Sequence, residues 1–523
     1  MNKPDFGMRV VEMDVYEDGQ QMAALVTNFP VDANPAFFGT EYAQPVQSAK
    51  KQDAGKEYIT WGNSNRLPSE IISRANDSPY IAPSLKKLID STYSAGVKMW
   101  YVYYTEVNGK MQRNQIEYEA AGMWLENRLA EAEAEWDKAH PVTTAKEKEQ
   151  LKAKDTKLNK LKRDLKAWTE TNTFLEIFAE ENNIALWLYE QAADATYFWN
   201  WFTMFRLSVG RPDEPWTPKI VGLNHLEATC TRKGIADEYG RVNYCVYSRG
   251  FADLTDNTKE TLQEQTVIDA LDPHRAASNL REIVERQKDN KIRSRKLEYV
   301  LPLSMPTPGK MYYAWPSWWS VFKSGIYNYM LAMFARRAMM MKNATMFKYI
   351  IHLDEQYVEY EYSRCGATTD EAKLKVFNSL IQSISDFIKN PKNNGKTLIS
   401  MSKTIDGKKV KWVEVEVIEN PMKGSDIKED IAEIANVMLF AMGIHPQTVG
   451  AIPGKDKVAS GTEARELNTL QQLYLFPVKM LLMYPLYVIK SFNKLDSHLF
   501  FDIPVHVLTT LDKNKQGVEE MNN

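Results

Sequence analysis

The stretch from Met422 to Leu495 constrains the fold most, because two helix patterns enclose a long segment rich in glycine and proline. Apolar residues recur at helical spacing before that segment, and Asp426 with Glu429 has the spacing of a helix-capping pair. Gly443 can end this helix, and Pro446 prevents it from continuing. We therefore expect one helix to stop near residue 443 and a second to follow after a long loop.

The predicted loop spans residues 444–461, and the glycines at its two ends, Gly443 and Gly461, are candidate hinges. Near its middle lie three charged residues, Lys455, Asp456 and Lys457. Loops of this length inside a compact domain are uncommon and are often functional or disordered. A moving part and a plain linker both fit the pattern.

The charge balance of the chain limits its partners. The 523 residues carry a formal net charge of −3, so the chain is no polycation and any contact with DNA is expected to be local. Three cysteines, Cys230, Cys245 and Cys365, are too few for a disulfide framework and lack the paired spacing of a zinc site. The first residues lack the apolar core of an export signal, so none is expected.

The segment 473–489 is strongly apolar, with Lys479 as its one charge. It is about the shortest length that can span a bilayer, and Pro477 and Pro485 interrupt it. A kinked helix buried in a core or a subunit interface is the interpretation we favour over a membrane span.

The region before residue 315 predicts a mixed α+β organisation. Residues 1–57 are irregular, and Trp61-Gly62 with Asn65 predicts a turn. Residues 112–205 are predicted to be almost wholly helical, with a helical hairpin at about 112–170. A heptad seam supports this hairpin at Leu151, Leu158, Leu161, Leu165 and Trp168. Short β-rich runs over 218–250 and extended structure over 297–314 flank a charged helical stretch at 257–295.

Residues 315–351 predict a long helix that is apolar on all sides. From Val321 to Ile351 there is no acidic residue and there are five basic ones, Lys323, Arg336, Arg337, Lys342 and Lys348. Residues 352–420 then predict a compact α+β insert with a strand at Glu359–Tyr362 and a helix at Asp370–Ile388. The insert holds a cluster of lysines, which is either a solvated face or a positive surface for an acidic partner: Lys389, Lys392, Lys396, Lys403, Lys408, Lys409 and Lys411.

The sequence holds no catalytic constellation that we recognise. Asn390–Thr397 reads NPKNNGKT, which nearly matches a phosphate-binding loop, but it begins with Asn and follows a helix instead of a strand. The seven histidines form no metal-ligand cluster, and no G-x-S-x-G is present. We therefore expect a protein that is not an enzyme and needs no cofactor or metal.

In the order of these pieces, residues 60–520 resemble a portal protein of tailed bacteriophages. The Trp61-Gly62-x-x-Asn65-x-x-Pro68 turn, the helix that ends near Asn343-Ala344 and the IAEIANVMLFAMGIHPQTVG run carry the resemblance. It implies an α+β, mostly helical fold of portal-type architecture with wing, stem and clip regions and little or no crown. The helical hairpin departs from the family pattern, as an insertion in the wing.

The resemblance implies the following division of the chain. Residues 1–57 are an N-terminal arm, and 58–314 are the wing with the hairpin (about 112–170) and a small β unit (about 218–314). Residues 315–351 are the first stem helix, 352–421 the clip and 422–443 the second stem helix. Residues 444–461 are the tunnel loop, and 462–523 are a wing helix with a C-terminal strand.

The implied function is a ring, usually of twelve copies, at one capsid vertex of the virion, assembled in the host cytoplasm. It is the DNA translocation channel for genome packaging and ejection and the head–tail connector. The implied partners are further copies of the chain, double-stranded DNA held weakly and without sequence preference, the terminase large subunit, a head–tail adaptor, the major capsid protein and a scaffolding protein.

The same resemblance implies roles for particular residues. Lys455, Asp456 and Lys457 would face the DNA in the channel, and the seven lysines of the insert would form the basic face of the clip. The stem interface would contain Tyr329, Met333, Arg336, Arg337 and Met340. Three alternatives stay open: another ring-forming head or connector protein, a membrane-associated helical protein using 473–489, and a nucleotide-driven DNA enzyme using NPKNNGKT.

Overall fold

The computed structural model describes residues 45–47, 57–62, 65–107, 109–141, 151–152, 155–211, 215–252, 265–288, 294–343, 349–389, 402–405, 408–411, 413–417, 424–449, 461–508 and 518–521. The fold is α+β and mostly helical, as expected from the sequence. Most of the predicted N-terminal arm, and Lys392, Lys396, Lys455, Asp456 and Lys457, lie outside the described residues.

The helices follow the chain in this order: α1 Leu67–Asn76, α2 Ile81–Tyr93, α3 Ala121–Ala139, α4 Thr156–Glu181, α5 Ile184–Phe198, α6 Ala276–Gln287, α7 Ser320–Lys323, α8 Ile326–Asn343, α9 Glu355–Arg364, α10 Asp370–Lys389, α11 Gly424–Ala441, α12 Pro446–Val449 and α13 Gly461–Asn493. Single 3-10 turns occupy Ala228–Cys230, Arg249–Phe251 and Ser317–Trp319.

The strands are β1 Pro45–Gln47, β2 Glu57–Ile59, β3 Lys98–Val107, β4 Lys110–Glu117, β5 Asn200–Leu207, β6 Ile220–Leu226, β7 Thr231–Lys233, β8 Tyr244–Tyr247, β9 Thr266–Ala270, β10 Glu298–Ser304, β11 Tyr349–Leu353, β12 Ser402–Ile405, β13 Lys408–Lys411, β14 Val413–Val417, β15 Leu499–Asp502, β16 Val505–Leu508 and β17 Val518–Met521.

The chain divides into two compact units. The main unit contains the described residues from 45 to 324, from 435 to 449 and from 461 to 521. The inserted unit contains the described residues from 325 to 434. Helix α11 crosses this division, because residues 424–434 belong to the inserted unit and residues 435–441 to the main unit.

The main unit is built on a six-stranded sheet of order β6-β5-β10-β9-β8-β7. Strand β10 runs antiparallel to β5 and parallel to β9. Trp201, Phe205, Tyr299 and Leu301 from the centre of this sheet are fully buried, and they belong to one core with α5 and the second half of α13. The sheet therefore joins residues that are far apart in sequence, which is why its strands depend on tertiary pairing.

A second, three-stranded sheet of order β15-β3-β4 joins the two ends of the main unit. Strand β15 pairs with the start of β3, with Phe500 opposite Trp100. The start of the region predicted to be helical over 112–205 lies in β4 and its end in β5, so that prediction was wrong at both ends. The prediction of helix over 257–295 was likewise wrong for β9, which pairs with both β8 and β10.

The turn after β2 is fixed by a buried arginine from β7. The Trp61 N–H donates to Asn65 Oδ1 (3.0 Å), which closes the predicted turn, and Gly62 has a φ of +81° that favours glycine. The guanidinium of Arg232 donates to Asn65 Oδ1, to the Asn65 carbonyl (2.8 Å), and to the carbonyls of Ala228, Thr229 and Thr231. Burial lowers the pKa of Arg232 to about 10, while its hydrogen bonds satisfy its donors.

The helical hairpin consists of α3 and α4, so it extends beyond the predicted range of about 112–170. A small separate core of Ala132, Trp136 and Leu158 lies between the two helices. Trp168, further along the predicted heptad seam, donates from Nε1 to the Tyr118 carbonyl (2.8 Å) and packs against the main core. Leu151 is exposed, so the seam begins at Leu158.

The first helix of the inserted unit, α8, begins later and ends earlier than the sequence predicted. The helix predicted over 315–351 is interrupted at Gly325, whose φ is +79°, and α8 ends at Asn343. Residues 349–353 form β11, which pairs antiparallel with β14. The predicted strand at Glu359–Tyr362 lies inside α9, which begins at an Asp354 side chain that accepts from the Gln356 N–H (2.9 Å).

Candidate assembly surfaces

The residues predicted for a stem interface divide between a buried and an exposed face of α8. Met333 is buried with Tyr327 and Met330, at intervals of three residues. Tyr329, Arg336 and Arg337 are exposed. Met340 lies on α8, and its side chain is outside the described ones. The helix is therefore not buried on all sides, and its basic residues face away from the chain's own interior.

The lysines predicted to form a basic face of the insert are placed only in part. Lys389 is the last residue of α10, and four others lie in the β12–β13 hairpin. In that hairpin Lys403 pairs with Val410 and Lys409 pairs with Thr404. Because successive strand positions alternate, the lysines of the hairpin occupy both sets of alternate positions.

The predicted glycine hinge at residue 443 is a well-defined helix end. The Gly443 N–H donates to the Phe440 carbonyl (2.9 Å), and the Ile444 N–H donates to the Leu439 carbonyl (2.9 Å). With a φ of +69° at Gly443 and buried side chains at Leu439 and Ile444, this is a Schellman motif. Pro446 then begins α12, and Gly461 is the first residue of α13. The hinge motion itself stays a prediction.

Helix α13 runs through Pro477 and Pro485 without interruption. Its second half is buried, because Leu482, Leu486 and Ile489 belong to the main core. The segment was expected to be buried in a core or in a subunit interface, and within a single copy the described part of the chain does not cover its first half. That half exposes a row of large apolar side chains, which we call the α13 stripe: Leu470, Leu473, Tyr474, Phe476 and Met480.

Lys479 lies on the opposite, inward side of the same half-helix. Its side chain is 3% exposed, and Nζ donates to Gln472 Oε1 (2.8 Å). Burial lowers the pKa of Lys479 to about 8, against a smaller raising effect of the Asp502 carboxylate. The one charge of the apolar segment is therefore held inside the protein.

By length and composition, Thr462–Asn493 could cross a membrane, with 44% of its most apolar window buried inside the protein. Core helices can pass the same test. The packing of the second half against strands and α6 favours that interpretation here. Tyr484 Oη accepts from the Ala276 N–H (3.4 Å), and Tyr487 Oη donates to the Phe501 carbonyl (2.9 Å).

A buried pair of titratable groups, Asp194 and His225, is the nearest approach to a catalytic arrangement among the described residues. His225 Nε2 lies 3.2 Å from Asp194 Oδ2, and Gln191 Nε2 lies 2.6 Å from His225 Nδ1. Burial raises the pKa of Asp194, although hydrogen bonds from His225 and the Ala228 N–H act in the opposite direction. Both ring nitrogens of His225 thus lie within hydrogen-bonding distance of a buried side chain.

Within the described ranges, no group of three or more His, Cys, Asp or Glu side chains is placed to hold a metal ion. The residues that sequence reasoning missed are those of the α13 stripe. The sequence contains a signal for the stripe, because residues 470, 473, 477 and 480 have helical spacing. That spacing alone does not distinguish a covered helix face from an exposed one.

Comparisons with known proteins give a limited result. No protein-family model matches the chain, and no curated protein matches it. It is similar to a chain in the neck of a native gene transfer agent (GTA) particle computed with C12 symmetry, at 13% identity and a TM-score of 0.43, with 88% of this chain and 85% of that chain covered.

Two further solved structures have the same degree of likeness. A chain in the virion of a native gene transfer agent particle is 12% identical, with a TM-score of 0.44 and coverage of 88% of this chain and 85% of that chain. A chain in the neck of an empty GTA particle computed with C6 symmetry is 12% identical, with a TM-score of 0.43 and coverage of 91% and 89%. At these scores the likeness assigns this chain neither a family nor a function.

Proposed function

We propose that this chain is a portal protein of a tailed-phage-like particle. Copies of it assemble into a ring at one vertex of the capsid, DNA passes through the central channel during packaging and ejection, and the outer end receives a terminase and then a head–tail adaptor. The proposal takes its family from the sequence resemblance, and it is supported by the organisation of the two units.

The observation that carries the proposal is the way in which the inserted unit is attached. The chain leaves the main unit at residue 324, enters α8, and returns through α11, which belongs to both units. Between these helices lie β11, α9, α10 and three further strands. A small α+β element that is enclosed in the chain between two helices is the arrangement expected of a portal clip and stem.

The distribution of charge supports a channel more than a tight binding site. A protein that neutralises many phosphates holds DNA strongly, so a sliding channel needs few close cationic contacts. The net charge of −3 and the two isolated lysines of the predicted tunnel loop, Lys455 and Lys457, agree with that requirement. The exposed Arg336 and Arg337 on α8 would contribute to a ring interface or to the channel wall.

The chemistry of packaging would be supplied by a separate ATPase. The segment NPKNNGKT follows α10 and lies outside the described residues. Its sequence context is wrong for a phosphate-binding loop. In the described part of the chain, both ring nitrogens of His225 lie within hydrogen-bonding distance of a buried side chain. A passive channel needs no catalytic group of its own.

Electron microscopy of the purified full-length chain tests the proposal. We expect rings with a central hole, and twelve subunits from the resemblance. A protein that stays a single copy at every concentration tested would overturn the proposal. Association with detergent micelles as a prerequisite for purification would instead favour the membrane-associated alternative, which the apolar helix Thr462–Asn493 supports by composition.

A packaging assay tests the channel itself. Replacing both Lys455 and Lys457 with Glu should leave ring assembly intact and change DNA packaging or retention. Lys160→Glu with Lys166→Glu, at two exposed lysines of α4, is the matched control for the same change of charge elsewhere. Unchanged packaging in the double variant would show that the two lysines do not meet DNA.

A further inference from the structure

The first half of α13 exposes an apolar patch as large as the largest patch on a typical monomer. Leu473 is 65% exposed and Tyr474 is 76% exposed. The five side chains of the α13 stripe together expose roughly 400–700 Å², taking about 150–250 Å² for a fully exposed large side chain. The largest apolar patch on a typical monomer is about 300–600 Å², and it is often an interaction site.

The α13 stripe lies on a helix face that another element of the protein covers further along α13. Counting in steps of seven from Leu470, the face continues through Pro477 to Tyr484 and Ser491. There α6 covers it, since the Ala276 N–H donates to Tyr484 Oη (3.4 Å) and an Arg281 nitrogen donates to Ser491 Oγ (2.8 Å). The upstream half has the same apolar character and is left open by the described part of the chain.

A membrane is a poor partner for this stripe. From residue 470 to residue 480 a helix rises about 15 Å, which is half of the roughly 30 Å of a bilayer core. Helices that lie on anionic membranes carry basic residues along their flanks. Between Leu467 and Met480 the one charged side chain is Lys479, which is buried, and the preceding turn carries Glu463, Arg465 and Glu466, with a net charge of −1.

The composition of the stripe is that of a permanent interface between like subunits. Charged side chains are depleted at the centre of such interfaces, and aromatic residues, leucine and methionine take their place. The exposed area is about half or more of the roughly 800 Å² that each partner contributes to a standard interface. A ring also needs two different surfaces that meet around a closed circle.

We infer that the α13 stripe is a surface by which one copy of this chain binds a second copy. The inference rests on the proposed ring and names one of its contact faces. Leu473 and Tyr474 would be the central side chains of the contact, because they are the most exposed members of the stripe.

The test places a negative charge in the stripe of the full-length chain. Leu473→Asp should raise the protein concentration at half-assembly at least tenfold, as measured by sedimentation velocity and by electron microscopy. Ile177→Asp is the matched control, since Ile177 is a single apolar residue on α4 that is 56% exposed. The control should assemble as the wild type does.

Folding is checked by the thermal melting curve of each variant. Tyr474→Glu is a second variant, which keeps the test decisive if Leu473→Asp melts early. Wild-type rings with normal assembly of both folded stripe variants would overturn the inference and leave the ring intact. A single-copy wild type would overturn the proposed function and the inference together. Flotation of the wild type, but not of Leu473→Asp, with phosphatidylcholine–phosphatidylglycerol vesicles would assign the stripe to a membrane and overturn the inference.

Discussion

The main unit and the inserted unit bury their side chains to very different extents. In the main unit, Trp201, Phe205, Tyr299 and Leu301 are fully buried between a six-stranded sheet and its helices. In the inserted unit, the described side chains from 352 to 383 are half-buried or exposed, with the exception of Ala367. Because burial of apolar surface is the main stabilising term, residues 352–383 contribute far less stability in a single copy than the core of the main unit does.

This difference in burial indicates which apolar faces neighbouring copies would cover on assembly. Helix α10 has an amphipathic face of Val376, Phe377, Leu380 and Ile381, and each of these is half-buried in the isolated chain. Neighbouring copies in a ring would cover such a face. Matched substitutions in the two units test this difference in burial.

The largest difference is expected for a buried leucine. Leu301→Ala in β10 should lower the free energy of unfolding by about 2–5 kcal/mol, because it leaves a cavity in a dense core. Leu374→Ala in α10, where the side chain is 50% exposed, should change it by less than about 0.5 kcal/mol. Denaturant unfolding of the isolated chain measures both, and comparable losses would contradict the contrast.

A buried arginine gives the next comparison. Arg232→Met removes the donors to Asn65, Ala228, Thr229 and Thr231, and should cost about 3 kcal/mol because several buried acceptors lose their partner. Arg364→Met in α9 removes a pair with Glu361 (2.9 Å), in which the Arg364 side chain is 65% exposed and that of Glu361 is 12% exposed, and should lower the melting temperature less than Arg232→Met because the Arg364 guanidinium is solvated. The melting temperatures of the two variants, measured under the same conditions, show whether the loss of Arg232 costs more stability.

The buried Lys479 predicts a stability that depends on pH. Its pKa of about 8 in the folded chain lies below the value of about 10.4 for an exposed lysine, so the unfolded chain binds the extra proton between those values. Stability therefore rises as pH rises from about 8 to about 10.4, and below pH 8 the full cost of burying the charge is present.

Lys479→Met should accordingly stabilise the main unit at pH 7 by about 1–3 kcal/mol, and the gain should shrink towards pH 10.5. Lys375→Met, at an exposed lysine of the inserted unit, is the control and should stay within about 0.5 kcal/mol. Melting temperatures between pH 7 and pH 10.5 measure the effect. A gain from Lys479→Met that does not change with pH would have to arise from packing alone.

Substitutions at helix ends should have similar effects on stability in the two units, although the units differ in burial. Gly443 and Gly366 both end their helices with a positive φ, +69° and +65°, and both donate to a carbonyl three residues earlier. Replacement of either by Ala should cost about 1 kcal/mol, because the penalty lies in the backbone. Gly443→Asn and Gly366→Asn should cost less. If Gly366→Ala leaves the free energy of unfolding unchanged, the C-terminal end of α9 is not stably formed in a single copy.

Sequence reasoning found the elements that are set by local chemistry. The turn at Trp61 and Gly62 and the end of α11 at Gly443 both depend on residues close in sequence. It failed for α9, whose alternating Tyr and Glu residues have the pattern of a strand. The caps at Asp354 and Gly366 outweigh that alternation and make the segment a helix.

The remaining failures arise from pairing over long distances. Strand β9 is a strand because β8 and β10 flank it, and the role of Arg232 depends on a turn 167 residues earlier. No local pattern contains either fact. The α13 stripe is a failure of another kind, because a helical apolar face has the same sequence pattern whether the chain covers it or leaves it open.

The pairing of β3 with β15 has a consequence for the order in which the protein is made. Phe500 lies opposite Trp100, on a strand that left the ribosome some four hundred residues earlier. At about 5–20 residues per second, β3 waits roughly 20–80 s for its partner. During that time the whole inserted unit is synthesised, and the edge of β3 is open to other chains. Newly made copies are therefore exposed to premature association before the sheet closes, and we expect the yield of correctly folded chain to depend on the rate of synthesis and on chaperones.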